Sequence, residues 1–157
     1  MRRPWNLASI PVYSLATYAG ESVNMNICTY VSAVSMKPKR YMVAVYDNTQ
    51  SLENIRKSKT AILQILGKHH ISLVNVLGKK SGLHYDKQNY LTKKKCLETW
   101  NDKPVLTDCA GLMELEKLWS KDAGDHTMFL FDVKRFKTNH ENVLMLNDLR
   151  EKGLVRI

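Results

Sequence analysis

A chain of 157 residues, 44% hydrophobic and 25% charged, has the balance of one globular domain with its own core, which excludes a disordered tail. The longest apolar run, Tyr41 to Tyr46, is too short to cross a bilayer. Pro4, Asn6, Ser9 and Pro11 break up the start, so neither a membrane span nor a secretory signal is expected. The net charge of +9 admits an anionic partner: nucleic acid, a membrane surface or a phosphorylated small molecule. The basic residues are dispersed, with a run of three only at Lys93-Lys94-Lys95, so nucleic acid is not the expected partner. Cys28, Cys96 and Cys109 form no close pair and no C-x-x-C, which suits packed thiols in a reducing compartment and a cytoplasmic location.

Ile10 to Tyr18 reads as a strand, and the Ala19-Gly20-Glu21 turn leads into one long extended segment, Ser22 to Met36, that pairs with it as a hairpin. After the turn at Pro38, Tyr41 to Asp47 is apolar on both faces and is expected to be a central strand. Asn48, Thr49 and Ser51 are N-cap candidates for a short helix with Glu53 in its first turn and Leu52 and Ile55 on its apolar side. Thr60 to Leu66 returns as a strand. Ile71, Val74 and Leu77 recur at helical spacing before Gly78, and Lys79 to Trp100 reads as a polar loop with one helical turn. Leu112 to Trp119 and His126 to Phe136 are strands joined by a turn at Lys121 to Asp125. Val143, Leu146 and Leu149 suggest a last helix stopped by Gly153. About six strands joined mostly by hairpins, with short helices and no linker or repeat, predict a mainly β, antiparallel barrel formed as one unit over residues 1–157.

Most catalytic patterns are missing. No G-x-G-x-x-G, G-x-S-x-G or H-E-x-x-H occurs, and Gly78-Lys79-Lys80-Ser81 lacks the upstream glycine of a P-loop. His69 and His70 are neighbours and cannot both face one metal in regular structure, so no metal site is expected. An enzyme built from such residues takes its chemistry from a cofactor. What remains is a polar extended edge, Asn26 to Ser35, and a polar helix start, Asn48-Thr49-Gln50-Ser51, whose unpaired N–H groups favour a phosphate. The residues alone leave two readings open: a mononucleotide site, or a capped helix beside a solvated strand.

Three segments in order resemble the flavin reductase-like proteins of the FMN-binding split-barrel group. Asn24-Met25-Asn26-Ile27-Cys28-Thr29-Tyr30-Val31-Ser32-Ala33-Val34-Ser35, followed by Lys37-Pro38, is similar to the family's N-x-M-T-x-S-x-x-(S/T)-x-V-S…P segment beside the flavin ring. Asn48 to Ile55 is similar to its S-x-T-x-x-x-I phosphate turn, and Ala123-Gly124-Asp125-His126-Thr127 to its G-D-H-(T/S). Asn26 and Ile27 stand where the family usually has Met and Thr, and Lys37 replaces an acidic residue.

The resemblance implies a split antiparallel β-barrel with short peripheral helices that binds FMN in preference to FAD. It implies an NAD(P)H:flavin oxidoreductase that passes hydride from nicotinamide to flavin, with a non-enzymatic FMN-binding electron carrier or sensor as the alternative. Asn26, Cys28, Thr29, Tyr30, Val31, Ser32 and Ser35 would lie along the flavin, with amides near Thr29 to Val31 on its polar edge. Asn48, Thr49 and Ser51 would hold the phosphate. His126 would stand by the nicotinamide as the catalytic side chain, and His84 and Tyr85 in a covering loop. The expected partners are NADH or NADPH, a downstream electron acceptor, and a second copy of the chain in a homodimer, with no membrane.

Overall fold

In the computed structural model, which describes residues 1–155, the elements run β1 (Tyr13–Ala19), β2 (Ser22–Met25), β3 (Val31–Ser35), β4 (Arg40–Tyr46), α1 (Gln50–Lys57) and β5 (Thr60–Ile65). They continue as α2 (Lys87–Lys93), β6 (Leu97–Trp100), β7 (Lys103–Leu106), β8 (Gly111–Asp122), β9 (His126–Thr138) and α3 (Leu146–Glu151). The unit expected over residues 1–157 runs past the described residues at its end.

Seven strands form one antiparallel sheet in the order β2-β1-β5-β8-β9-β4-β3, and β6 and β7 form a separate hairpin. The period-2 alternation of β5 explains why it lies inside: Ala61 and Leu63 point to one apolar cluster, Ile62 to another. The first cluster fills the barrel with Leu15, Val43, Val45, Leu115, Phe129 and Phe131, and α1 closes it with Leu52 and Ile55. The second covers the outer face, where Ala16 and Leu112 meet Leu77, Leu91, Leu106 and Leu149. Each such large side chain, fully buried, contributes roughly 1.5–3 kcal/mol. The fold is therefore the mainly β, antiparallel split barrel with short peripheral helices.

Several expectations change. The segment Ser22 to Met36 is not one strand. β2 pairs with β1, but β3 pairs with β4 at the opposite edge of the sheet, and residues 26–30 cross between them. The crossing starts where the Leu15 N–H donates to Asn26 Oδ1 at 2.8 Å, a side chain taking the place of a strand carbonyl. It is held by a bridge of Cys28 to Tyr13 and by Ala44 N–H on Tyr30 O at 2.9 Å.

Nor is the stretch Tyr41 to Asp47 buried on both faces: Val43 and Val45 are buried, whereas Tyr46 is 56% exposed. That second face opens onto cavities rather than core. The helix expected around Ile71 is a 3-10 turn (Lys68–Leu73) followed by a π turn (Asn75–Lys79), where β-branched Ile71, Val74 and Val76 disfavour a regular α-helix. Val143 lies outside α3, in a bridge to Gly67. The stretch read as loop contains α2 and β6, the first strand of a hairpin turned by Asn101 (φ 48°) and Asp102 (φ 59°). Such left-handed pairs are the two-residue turns that match strand twist.

Candidate functional site

The crossing segment, the start of α1 and the loop after the π turn enclose a cavity of about 660 Å³. Asn26, Cys28, Thr29, Tyr30, Asn48, Thr49, Ser51 and His126 all line it. Val31 is outside it, on a third cavity of about 400 Å³ beside Met42 and Met128. Ser32, exposed, and Ser35, half-buried, stand on β3 and line neither. His84 and Tyr85 face a second cavity of about 530 Å³.

Each residue has a distinct job. Asn26 is spent on the Leu15 amide. Cys28 packs its thiol into the barrel interior, where burial pushes its pKa up to about 12, so it stays protonated and offers the cavity main chain only. The Val31 N–H turns to Thr29 O at 3.0 Å. Among the described residues, the Thr29 and Tyr30 amides have no protein acceptor, which leaves both donors free.

At α1, Asn48 takes φ 57° to turn the chain out of β4, a conformation asparagine tolerates better than most residues. Thr49 caps the helix: its Oγ1 accepts from Leu52 N–H at 3.3 Å and donates to Tyr46 O at 2.8 Å. Its proton is thereby used. Ser51 accepts from Asn24 Nδ2 at 2.9 Å and keeps its own proton free for an acceptor in the cavity. Asn24, Ser51, Asn54 and Thr17 are all buried and share hydrogen bonds, so this network fixes the helix start against β1 and β2.

His126 opens β9 opposite Tyr46 and stands between the rings of Tyr30 and Tyr46, at centroid distances of 4.9 and 5.2 Å. Its Nδ1 lies 2.6 Å from Asp125 Oδ1, which leaves Nε2 as the free nitrogen. Asp122 Oδ1 receives the Gly124 N–H at 2.8 Å, and Gly124 has φ 106°, which a side chain rarely allows.

Sequence reasoning missed the opposite wall. Gly78, Lys79, Lys80, Ser81 and Gly82 form it, and Lys87 braces it from below. The Gly78-Lys79-Lys80-Ser81 turn fails as a P-loop but carries the glycine and cations of an anion-facing turn, which was the available signal. The Lys87 ammonium is buried and donates to Met25 O at 3.0 Å and Leu77 O at 2.7 Å, joining this wall to the crossing segment. Burial lowers its pKa to about 8, which still leaves it charged at neutral pH. A Cβ on Gly82 would overlap Asn24 Oδ1, so the loop passes there only as glycine. With Lys79, Lys80 and Lys87 against Asp47 alone, the lining favours an anion. Donor amides, a free helix start and this charge fit a flavin nucleotide, whose ring would follow the crossing segment and whose phosphate would meet Ser51.

An antiparallel split barrel with this cavity is the architecture of FMN-binding barrels. The chain belongs to the flavin reductase-like family of flavin-binding oxidoreductases: a model described as flavin reductase like domain matches residues 6–152. Similar solved structures include flavin reductase PheA2, at 22% identity and TM-score 0.73, covering 88% of this chain and 85% of that one. An FMN-binding protein from Thermus thermophilus with bound 1-cyclohex-2-enone is 19% identical, with TM-score 0.76 and coverage of 88% and 75%. The NADH:FAD oxidoreductase SgcE6 of Streptomyces globisporus C-1027 is 14% identical, with TM-score 0.76 and coverage of 87% and 80%. No curated protein matches the chain. Among the described residues, no helix is long and apolar enough to cross a membrane and no cluster of side chains could hold a metal ion.

Proposed function

We propose that the protein is an NAD(P)H-dependent flavin reductase that holds FMN in the main cavity. The observation that carries this reading is the meeting of three parts in one space: free amides at Thr29 and Tyr30, the start of α1 at Ser51, and His126. The flavin supplies the hydride-accepting chemistry when bound. The chain's residues orient and stabilise. The Thr29 and Tyr30 amides hold the polar edge of the ring, where negative charge gathers on reduction. Ser51, the amides of the first turn of α1 and Lys79 or Lys80 hold the phosphate, with Thr49 keeping the turn in shape. His126, fixed by Asp125 and the two tyrosine rings, orients the nicotinamide and keeps water from the reacting face.

Tyr30, on the third cavity, Tyr46, on the main one, Val34 on the edge strand β3 and Met36 just past it are exposed apolar side chains. A second copy of the chain covers this edge and completes the nicotinamide side of the site, as a homodimer. The three free thiols suit the cytoplasm.

The double change Thr49→Ala, Ser51→Ala weakens FMN binding by about tenfold or more, measured by quenching of flavin fluorescence. Wild-type affinity in that variant counts against the phosphate assignment. His126→Ala slows NADH or NADPH oxidation far more than it weakens FMN binding. Equal oxidation rates in variant and wild type overturn the role of His126 and favour a carrier.

A further inference from the structure

β9 begins at His126, and part of what fixes that beginning lies at the end of β4. The register pairs Val45 with Thr127 and Tyr46 with His126. Val45 and Thr127 are buried on one face of the ladder, and Tyr46 is exposed on the other. Asp47 is the next residue, and it grips both neighbours of His126. Its N–H donates to Asp125 O at 3.1 Å, and its Oδ1 accepts from Thr127 Oγ1, also at 3.1 Å. The chain then turns away at Asn48, φ 57°, and the ladder ends.

Within the tip of the β8–β9 hairpin the other bonds are local. The Gly124 N–H donates to Asp122 Oδ1, the Ala123 N–H to His126 O at 2.9 Å, and Asp125 Oδ1 sits at the His126 ring. Such bonds travel with the tip when it moves. The bond from Asp47 to Asp125 is the last rung of the β4–β9 ladder, the place where a ladder frays first. The buried Thr127 hydroxyl closes that end by a charge-assisted bond to the Asp47 carboxylate. Among the described residues, Asp47 is also the one acid lining the main cavity, against Lys79, Lys80 and Lys87. As a charge it works against an anionic ligand; its contribution is the clamp.

We infer that Asp47 is a positioning residue for His126: its side chain locks the last rung between β4 and β9 and so fixes where the imidazole stands between Tyr30 and Tyr46. This inference rests on the reading of His126 as the residue beside the nicotinamide. Asp47 acts through His126, by the oxygen it offers Thr127 and not by its charge. Thr127 is the other half of the same clamp.

The first readout needs no flavin. The His126 imidazole proton signal, identified in the NMR spectrum as the one that His126→Ala removes, is displaced by the ring currents of the two tyrosines. Asp47→Ala and Thr127→Val move it towards the position of an exposed histidine, whereas Asp47→Asn, which keeps the accepting oxygen without the charge, leaves it in place. The second readout is the rate at which NADH or NADPH reduces FMN-loaded protein. Asp47→Ala and Thr127→Val lower it about tenfold, part of the roughly 100-fold that a misplacement of about 1 Å costs. Asp47→Asn restores most of the rate, and FMN binds each variant no more weakly than wild type. In a His126→Ala background, Asp47→Ala lowers the rate no further. If Asp47→Asn is as slow as Asp47→Ala, the charge carries the effect and the inference is overturned. An imidazole signal unmoved in both Asp47→Ala and Thr127→Val overturns it as well, as does an equal loss of rate with and without His126. If His126→Ala itself leaves reduction unchanged, or FMN does not bind, the reading of the site falls and the inference with it.

Discussion

On one side of the main cavity, the crossing segment and the start of α1 are fixed by strand, amide and capping bonds whose groups keep one charge state around neutral pH. On the other side, residues 77–87 are tied down through two titratable side chains, Lys87 beneath the loop and His70 at the turn that leads into it. The barrel wall inherits the rigidity of the sheet, while the loop wall, anchored in the outer cluster by Leu77, takes its polar ties from two buried nitrogen groups. Acid, base or a single substitution can therefore loosen one wall and leave the other in place.

The largest expected effect is acid on the loop wall. His70 accepts the Gly67 N–H at Nδ1 (3.0 Å) and faces Thr107 O with Nε2 (2.9 Å), an arrangement that requires the neutral ring. Burial, followed by the neighbouring His69, lowers its pKa from 6.5 to about 4. The folded value lies below the unfolded one, so the unfolded chain binds the extra proton first. His70's contribution is complete above the unfolded pKa near 6.5 and is lost as pH falls towards about 4. Denaturant titrations across that window should show a loss on the order of 3 kcal/mol. His70→Gln, which keeps an acceptor and a donor but does not titrate, should flatten the slope; an unchanged slope would show that another group is responsible.

Lys87→Met attacks the same wall from below. It leaves the carbonyls of Met25 and Leu77 without their donor, offset by relief of a buried charge, for a net loss of about 2 kcal/mol. Its effect on FMN affinity should exceed its effect on melting temperature, because the loop moves before the barrel does. On the barrel wall, Asn26→Ala strands the Leu15 amide and should cost about 1–2 kcal/mol, whereas Asn26→Asp retains the acceptor and most of the stability. Smallest of all, Thr49→Ala should cost about 1 kcal/mol through loss of the cap, with less effect on FMN affinity than Ser51→Ala, because only Ser51 has a free proton. A larger affinity loss for Thr49→Ala would reverse that division of labour.

The barrel wall was largely legible in the sequence because its signals are local. Cap residues precede an amphipathic helix, Gly124 marks a turn, and alternation in Phe129, Phe131 and Val133 marks a strand. The crossing was not legible. Asn26 reads as one more polar strand position until Leu15, from another strand, is seen to need its side chain as an acceptor. The loop wall was also hidden, since Lys87 looks like any solvated lysine and its partners lie 62 and 10 residues away in sequence. The hairpin of β6 and β7 did carry a signal, in Asn101-Asp102, which the surrounding charges obscured.

The most direct measurement is a titration of the purified protein with FMN, following its visible absorption band and then adding NADH or NADPH. The account predicts saturable binding that Ser51→Ala weakens, and bleaching of the band by the nicotinamide at a rate that depends on His126. Absence of FMN uptake, or uptake indifferent to both Ser51→Ala and Lys87→Met, would contradict it.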